Sequence, residues 1–201
     1  MNNKRVVLLR KELMELIYNP KSGIAIVVVV GLMYLFHFLR EDYRDGLLYF
    51  TVFFAALSVG QYVYDSFVSD IEFKGALFLH NTGISLTELF RIKLWIALVI
   101  ATVILITTLP LTYSQIRLSD LFWIYPFVAF SCSLMQIFTV LARGRETTAS
   151  VIAAIGILAT MLMLQFFHSH ILRAVVMISL HITFMVLAEQ SLKMLNVRTQ
   201  L

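Results

Sequence analysis

The chain has 201 residues, 60% of them hydrophobic, with a formal net charge of +4 and a mean hydropathy of +0.86. A soluble domain is only about 45–50% apolar, so an ordinary water-soluble fold is excluded and an integral membrane protein is expected. Its single cysteine, Cys132, excludes an intramolecular disulfide, and its positive charge is read as Lys and Arg facing anionic lipid rather than nucleic acid.

The first predicted element is a helix over residues 4–17. Val6, Leu9, Leu13, Leu16 and Ile17 recur at three- and four-residue spacing and form one apolar face. Lys4, Arg5, Lys11, Glu12 and Glu15 occupy the remainder, and Lys11 and Glu15 are an i,i+4 pair. The charges break the apolar core that a signal peptide needs. Asn19-Pro20 ends the helix, because proline disfavours a helical residue before it. Such a basic amphipathic helix before a span is expected to lie flat in the cytoplasmic interface, where Lys11 and Glu12 are candidate contact residues.

Six apolar runs come next, each close to the roughly 17–25 residues a spanning helix needs: Ser22–Phe38, Leu47–Tyr64, Leu94–Leu111, Leu121–Val140, Ala149–Phe167 and Leu172–Ala188. Lipid cannot satisfy free backbone groups, so helices are the expected spanning form. Arg40, Arg44, Arg117 and Arg173 fall on one side and the other twelve Lys and Arg residues on the opposite side. The positive-inside rule then places both termini in the cytoplasm. The outer loops are short, and the first is acidic (Glu41, Asp42, Asp45). Tyr18, Tyr43, Tyr49, Tyr64, Trp95, Tyr113 and Trp123 lie near the proposed interfaces and read as an aromatic belt.

Polar side chains inside the spans are costly and are candidates for a pathway. Gln61 and Asp65 lie late in span two, Gln136 in span four, Gln165 near the end of span five and His181 midway along span six. Each is also explained by a hydrogen bond to a neighbouring helix. Pro110 and Pro126 lie within spans three and four, and small residues four apart in span five (Ala149/Ala153, Ser150/Ala154, Gly156/Thr160) predict close helix packing. His168 and His170 form an H-x-H in an outer loop; two ligands without a third do not make a metal site, and none is expected.

Between spans two and three lies a polar island, Asp70 to Lys93. It holds two capping-box patterns, Ser69-Asp70-Ile71-Glu72 and Ser85-Leu86-Thr87-Glu88. They predict a break after span two, a short helix near Asp70–His80, a turn at Asn81–Gly83 and a second helix from Leu86 into span three.

The island resembles the segment after the second span in ABC transporter permeases of the type-2 exporter class. Asp70 and Glu72 match that family's acidic pair, and Gly75 with Leu77 its Gly-x-Leu step. Thr82-Gly83-Ile84-Ser85 is similar to its turn, with Gly83 where proline is usual. Glu88-Leu89 matches the Glu-Leu-like pair after that turn, and Lys93 the lysine at the start of span three. Lys11-Glu12-Leu13 and Asn19-Pro20 are similar to the family's opening. The resemblance covers essentially the whole chain, residues 1–201, as one transmembrane permease domain.

What the resemblance implies is an all-α membrane protein with six transmembrane helices, an N-terminal interfacial amphipathic helix and a short cytoplasmic coupling helix between spans two and three. The chain would be the non-catalytic permease of an ATP-driven exporter in a prokaryotic cytoplasmic membrane. It would pair with a second permease copy or paralogue. ATP and Mg would sit on a separate ATPase subunit, since this chain has no Gly-x-x-x-x-Gly-Lys-Ser/Thr phosphate loop. Asp70, Glu72 and Lys74 would make polar contacts to that ATPase and Phe73 and Phe78 would pack on it, with Gly75 and Glu88 completing the coupling segment. Gln61, Gln136 and His181 would line the pathway. A hydrophobic or amphipathic cargo (a peptide, lipid or drug) suits the short outer loops. The competing readings are a non-transporting membrane partner, such as an immunity or sensor subunit, and a membrane-embedded enzyme. For the latter, Asp42-Tyr43-Arg44-Asp45-Gly46 supplies only half of a phosphotransferase signature.

Overall fold

A computed structural model describes residues 2–18, 20–39, 46–72, 83–114, 116–142 and 146–199. Among these the chain is all helical, with seven α-helices and no strand: α1 (Asn2–Tyr18), α2 (Pro20–Leu39), α3 (Leu47–Glu72), α4 (Leu86–Thr112), α5 (Leu121–Ala142), α6 (Glu146–Gln165) and α7 (His170–Thr199). A 3-10 turn, Leu118–Asp120, leads into α5. Four stretches are long and apolar enough to cross a membrane: Leu47–Phe67, Leu86–Thr112, Leu118–Phe138 and His170–Met194. Shorter apolar stretches, Val27–Phe38 and Ser150–Gln165, lie in α2 and α6. This is the make-up of an integral membrane protein.

Helix α5 is the centre of the bundle, packed against α3, α4, α6 and α7. Its residues explain that position. Trp123, Ile124, Phe127, Val128 and Cys132 are all fully buried, so it is apolar on every side. Its hydroxyls are absorbed by carbonyls: Ser131 donates to Val128 and across to Ala56 of α3, and Ser133 donates to Ala129. Gly60 of α3 makes the close approach possible, since a Cβ there would stand 3.1 Å from Met135 Cγ. Helix α7 is the opposite case: 17% of its apolar stretch is buried, against 67% for that of α5. Its outward Ser179 and Thr183 hydroxyls donate to their own helix four residues back, which satisfies both toward lipid.

Side-chain contacts fix the helix directions. Tyr49 stacks on Trp123, and Ser131 meets Ala56 further along, so α3 and α5 run parallel. His170 meets Asp120 and Phe184 meets Phe130, so α7 runs with them. Helix α4 runs the other way, with Thr102 bonded to Tyr125 of α5 and Lys93 to Ser66 of α3. The bundle therefore has two ends. The first holds α1, the end of α3, the start of α4 and the later part of α7. The second holds the starts of α3, α5 and α7.

One sequence expectation is corrected. No break separates span two from the island, because α3 runs without interruption from Leu47 to Glu72. Neither glycine nor proline lies between Gln61 and Glu72. In a continuing helix Ser69 and Glu72 are neighbours one turn apart, not a cap. The second pattern forms as expected. Ser85 Oγ accepts from the Glu88 amide at 3.2 Å, and Glu88 Oε2 accepts from the Ser85 amide at 3.5 Å. Gly83 precedes it at φ 62°, a left-handed conformation that glycine takes without strain.

The aromatic belt is also corrected in part. Trp95, Tyr18 and Tyr113 are exposed, as a belt requires, but Trp123 and Tyr64 are buried. The tryptophan is held inside by a bond from its indole N–H to Asp120 Oδ1 at 2.9 Å.

Candidate functional site

Three helices that bound or adjoin the island meet at one buried ion pair. Lys93 stands two turns into α4, and its Nζ lies 2.7 Å from Glu12 Oε2 of α1; both side chains are fully buried. Lys93 also donates to Ser66 Oγ of α3, and Ser66 donates to the same Glu12 oxygen at 3.4 Å. Lys11 lies 3.4 Å from the other Glu12 oxygen and is partly exposed. One carboxylate thus ties α1, α3 and α4 together.

Glu12 faces inward for a simple reason. It shares a face of α1 with Leu8, four residues earlier, and both are buried. Val6, Leu9, Leu13 and Met14 point away from the bundle and are exposed. Val6, Leu9 and Leu13 of the apolar face read from the sequence therefore point outward, as a helix lying in a lipid interface would present them.

A second tie leaves α4 from the opposite side. Arg91 Nε lies 2.7 Å from Glu189 Oε1 of α7. Arg91 is more than half exposed, which marks this pair as the weaker of the two. The first turns of α4 are thereby held by α1 and α3 on one face and by α7 on another. The same turns begin at the Ser85–Glu88 cap, so Glu88 takes part in ordering the helix start.

The other expected site residues are spread along the bundle. Asp70 and Glu72 lie in the last turn of α3. Phe73, Lys74, Gly75 and Phe78, and with them the short helix expected at Asp70–His80, lie outside the described residues. Gln61 donates to Asp65 Oδ1 at 2.8 Å, one turn along α3. Gln136 is fully buried in α5, and neither its Oε1 nor its Nε2 has a hydrogen-bond partner among the described residues. His181 Nδ1 is buried in α7 and also unpartnered. These three residues are not brought together at one described contact. No cluster of three or more potential metal ligands exists among the described residues.

Sequence reading missed Ser66, Glu189 and a second polar cluster at the far end of the bundle. There Asp120, almost completely buried, accepts from the Trp123 indole, from the Arg117 backbone amide at 2.8 Å, and lies 2.7 Å from His170 Nδ1. Arg173, one turn later on α7, donates to the Phe167 carbonyl at 2.6 Å and lies 5.5 Å over the Tyr49 ring. Asp120 follows Ser119 just before an apolar run, a helix-start signal that was present in the sequence. Its pairing with His170, fifty positions away, had no such signal. No family model matches this chain, and neither a curated protein nor a solved structure is detectably similar to it.

Proposed function

We propose that this chain is the membrane-spanning subunit of an ATP-driven transporter, moved by a separate ATPase that engages the segment between α3 and α4. The observation that carries the reading is the Glu12–Lys93–Ser66 junction. The two helices leaving the island, α3 and α4, are joined through it to each other and to α1. A force applied to the island is then shared by three helices instead of being lost in a flexible connection. The Arg91–Glu189 pair extends the coupling to α7.

The resemblance of Asp70–Lys93 to the coupling segment of type-2 ABC exporter permeases supplies the identity of the partner. Six spans fit the reading. Helices α2 and α6 each have 20 residues, about 30 Å at 1.5 Å per residue, which matches the hydrocarbon core. Both termini then lie on the same side as the island, in the cytoplasm, and α1 lies along that surface. The cargo is hydrophobic or amphipathic and crosses by alternating access, with Gln61, Gln136 and His181 as the polar residues offered to it. Two permease chains, identical or paralogous, complete the pathway.

Affinity purification of the tagged chain from its native membranes tests this reading. An ATP-hydrolysing subunit should co-purify, and Glu72→Lys with Phe73→Asp should release it. Undiminished binding by the double variant would remove the docking assignment. Absence of any ATPase would favour a non-transporting membrane partner.

A further inference from the structure

We propose that Asp120 and His170 form a proton-sensitive latch between the far ends of α5 and α7, tightened by acid and loosened by base. The two residues stand at the first turns of parallel helices. Asp120 closes the turn into α5, and His170 is the first residue of α7. Their side chains meet at 2.7 Å, with Asp120 almost completely buried and His170 about one third exposed. The carboxylate has two further partners within its own turn. Its Oδ2 is held by the Arg117 amide and its Oδ1 by the Trp123 indole.

Imidazole is the side chain that ordinarily changes charge between about pH 5 and 8. Protonated, it necessarily carries a hydrogen on Nδ1 and sets a full positive charge against the Asp120 carboxylate, so that the hydrogen bond becomes an ion pair. Neutral, it keeps the bond only with its hydrogen on Nδ1; with the hydrogen on Nε2, a lone pair faces the carboxylate. Base therefore weakens the joint. The other groups around it have fixed roles. Arg173 of α7 is engaged by the Phe167 carbonyl and the Tyr49 ring of α3, the Arg117 side chain is exposed, and His168 is exposed two residues earlier. Partial exposure of His170 gives protons access from the aqueous side. The latch does not depend on the transport reading. If that reading holds, its place opposite the island makes it a closure of the far end.

Trp123 is a built-in reporter, because its indole shares Asp120 Oδ1 with His170. The chain has one other tryptophan, Trp95. In the Trp95→Phe chain, reconstituted in phosphatidylcholine–phosphatidylglycerol vesicles, Trp123 emission should show one pH-dependent change. His170→Gln should abolish it and His168→Gln should leave it. Asp120→Asn, which keeps an acceptor for the indole but removes the carboxylate charge, should reduce the amplitude of the response. A flat profile in the parent, a change surviving His170→Gln, or an amplitude undiminished by Asp120→Asn would each overturn the proposal.

Discussion

A charged lysine buried with a charged glutamate is costly to place and more costly to break. Removing one partner leaves the other buried without its nearest counter-charge, a loss of about 3–5 kcal/mol, whereas replacing both with apolar residues of similar size is often neutral. Lys93→Met should therefore destabilise the protein by about 3–5 kcal/mol, and Glu12→Leu with Lys93→Met should recover most of that. Denaturant titration in mixed micelles measures both. Gln136 presents the reverse case. A buried amide with no partner loses stability, so Gln136→Leu should leave stability unchanged or raise it by about 1–3 kcal/mol. A fall in stability in the same titration would reveal a partner. At this scale the sequence was only partly legible. Lys11, Glu12 and Lys93 stood out as charges, but helical spacing put Glu12 on the polar face, where water is expected. Its burial depends on a lysine 81 positions away, which no local pattern encodes.

Helices were the most readable level, because hydropathy and capping are local. Spans two to four and six correspond to helices long and apolar enough to cross a membrane, and the start of α4 at Leu86 is set by the Ser85–Glu88 cap. The Ser69–Glu72 pattern failed for a physical reason: a capping box describes a helix start only where the preceding backbone has left the helix, and nothing before Ser69 makes it leave. The cap that did form has a measurable consequence. Ser85→Ala should cost about 1 kcal/mol and speed hydrogen exchange at the amides of Leu86 to Glu88. Phe67, buried before the island, and Leu89, buried one turn into α4, should keep slow exchange in their helix interiors.

Among the described residues the contacts of charged side chains between helices collect at two levels. The first level joins α1, α3, α4 and α7; the second joins α3, α5 and α7. Helices α3 and α7 take part in both. Helix direction was legible from alternating charge across the spans, but the choice of neighbours was not, because a uniformly apolar surface carries little information about which helix it will touch. The central place of α5 is a matter of shape, set by residues such as Gly60 and by side chains that fill all its sides.

The lengths of three helices carry one more consequence. Helices α3, α4 and α7 have 26, 27 and 30 residues. At 1.5 Å per residue they span about 39, 41 and 45 Å, against a hydrocarbon core of about 30 Å. If the far-end starts of α3 and α7 sit near one surface, the surplus emerges at the other, beside the start of α4. The ends of α3 and α4 that flank the island then rise past the hydrocarbon core as a short pedestal. Arg91 and Glu189 brace its sides, and the lysine–glutamate pair lies at its foot.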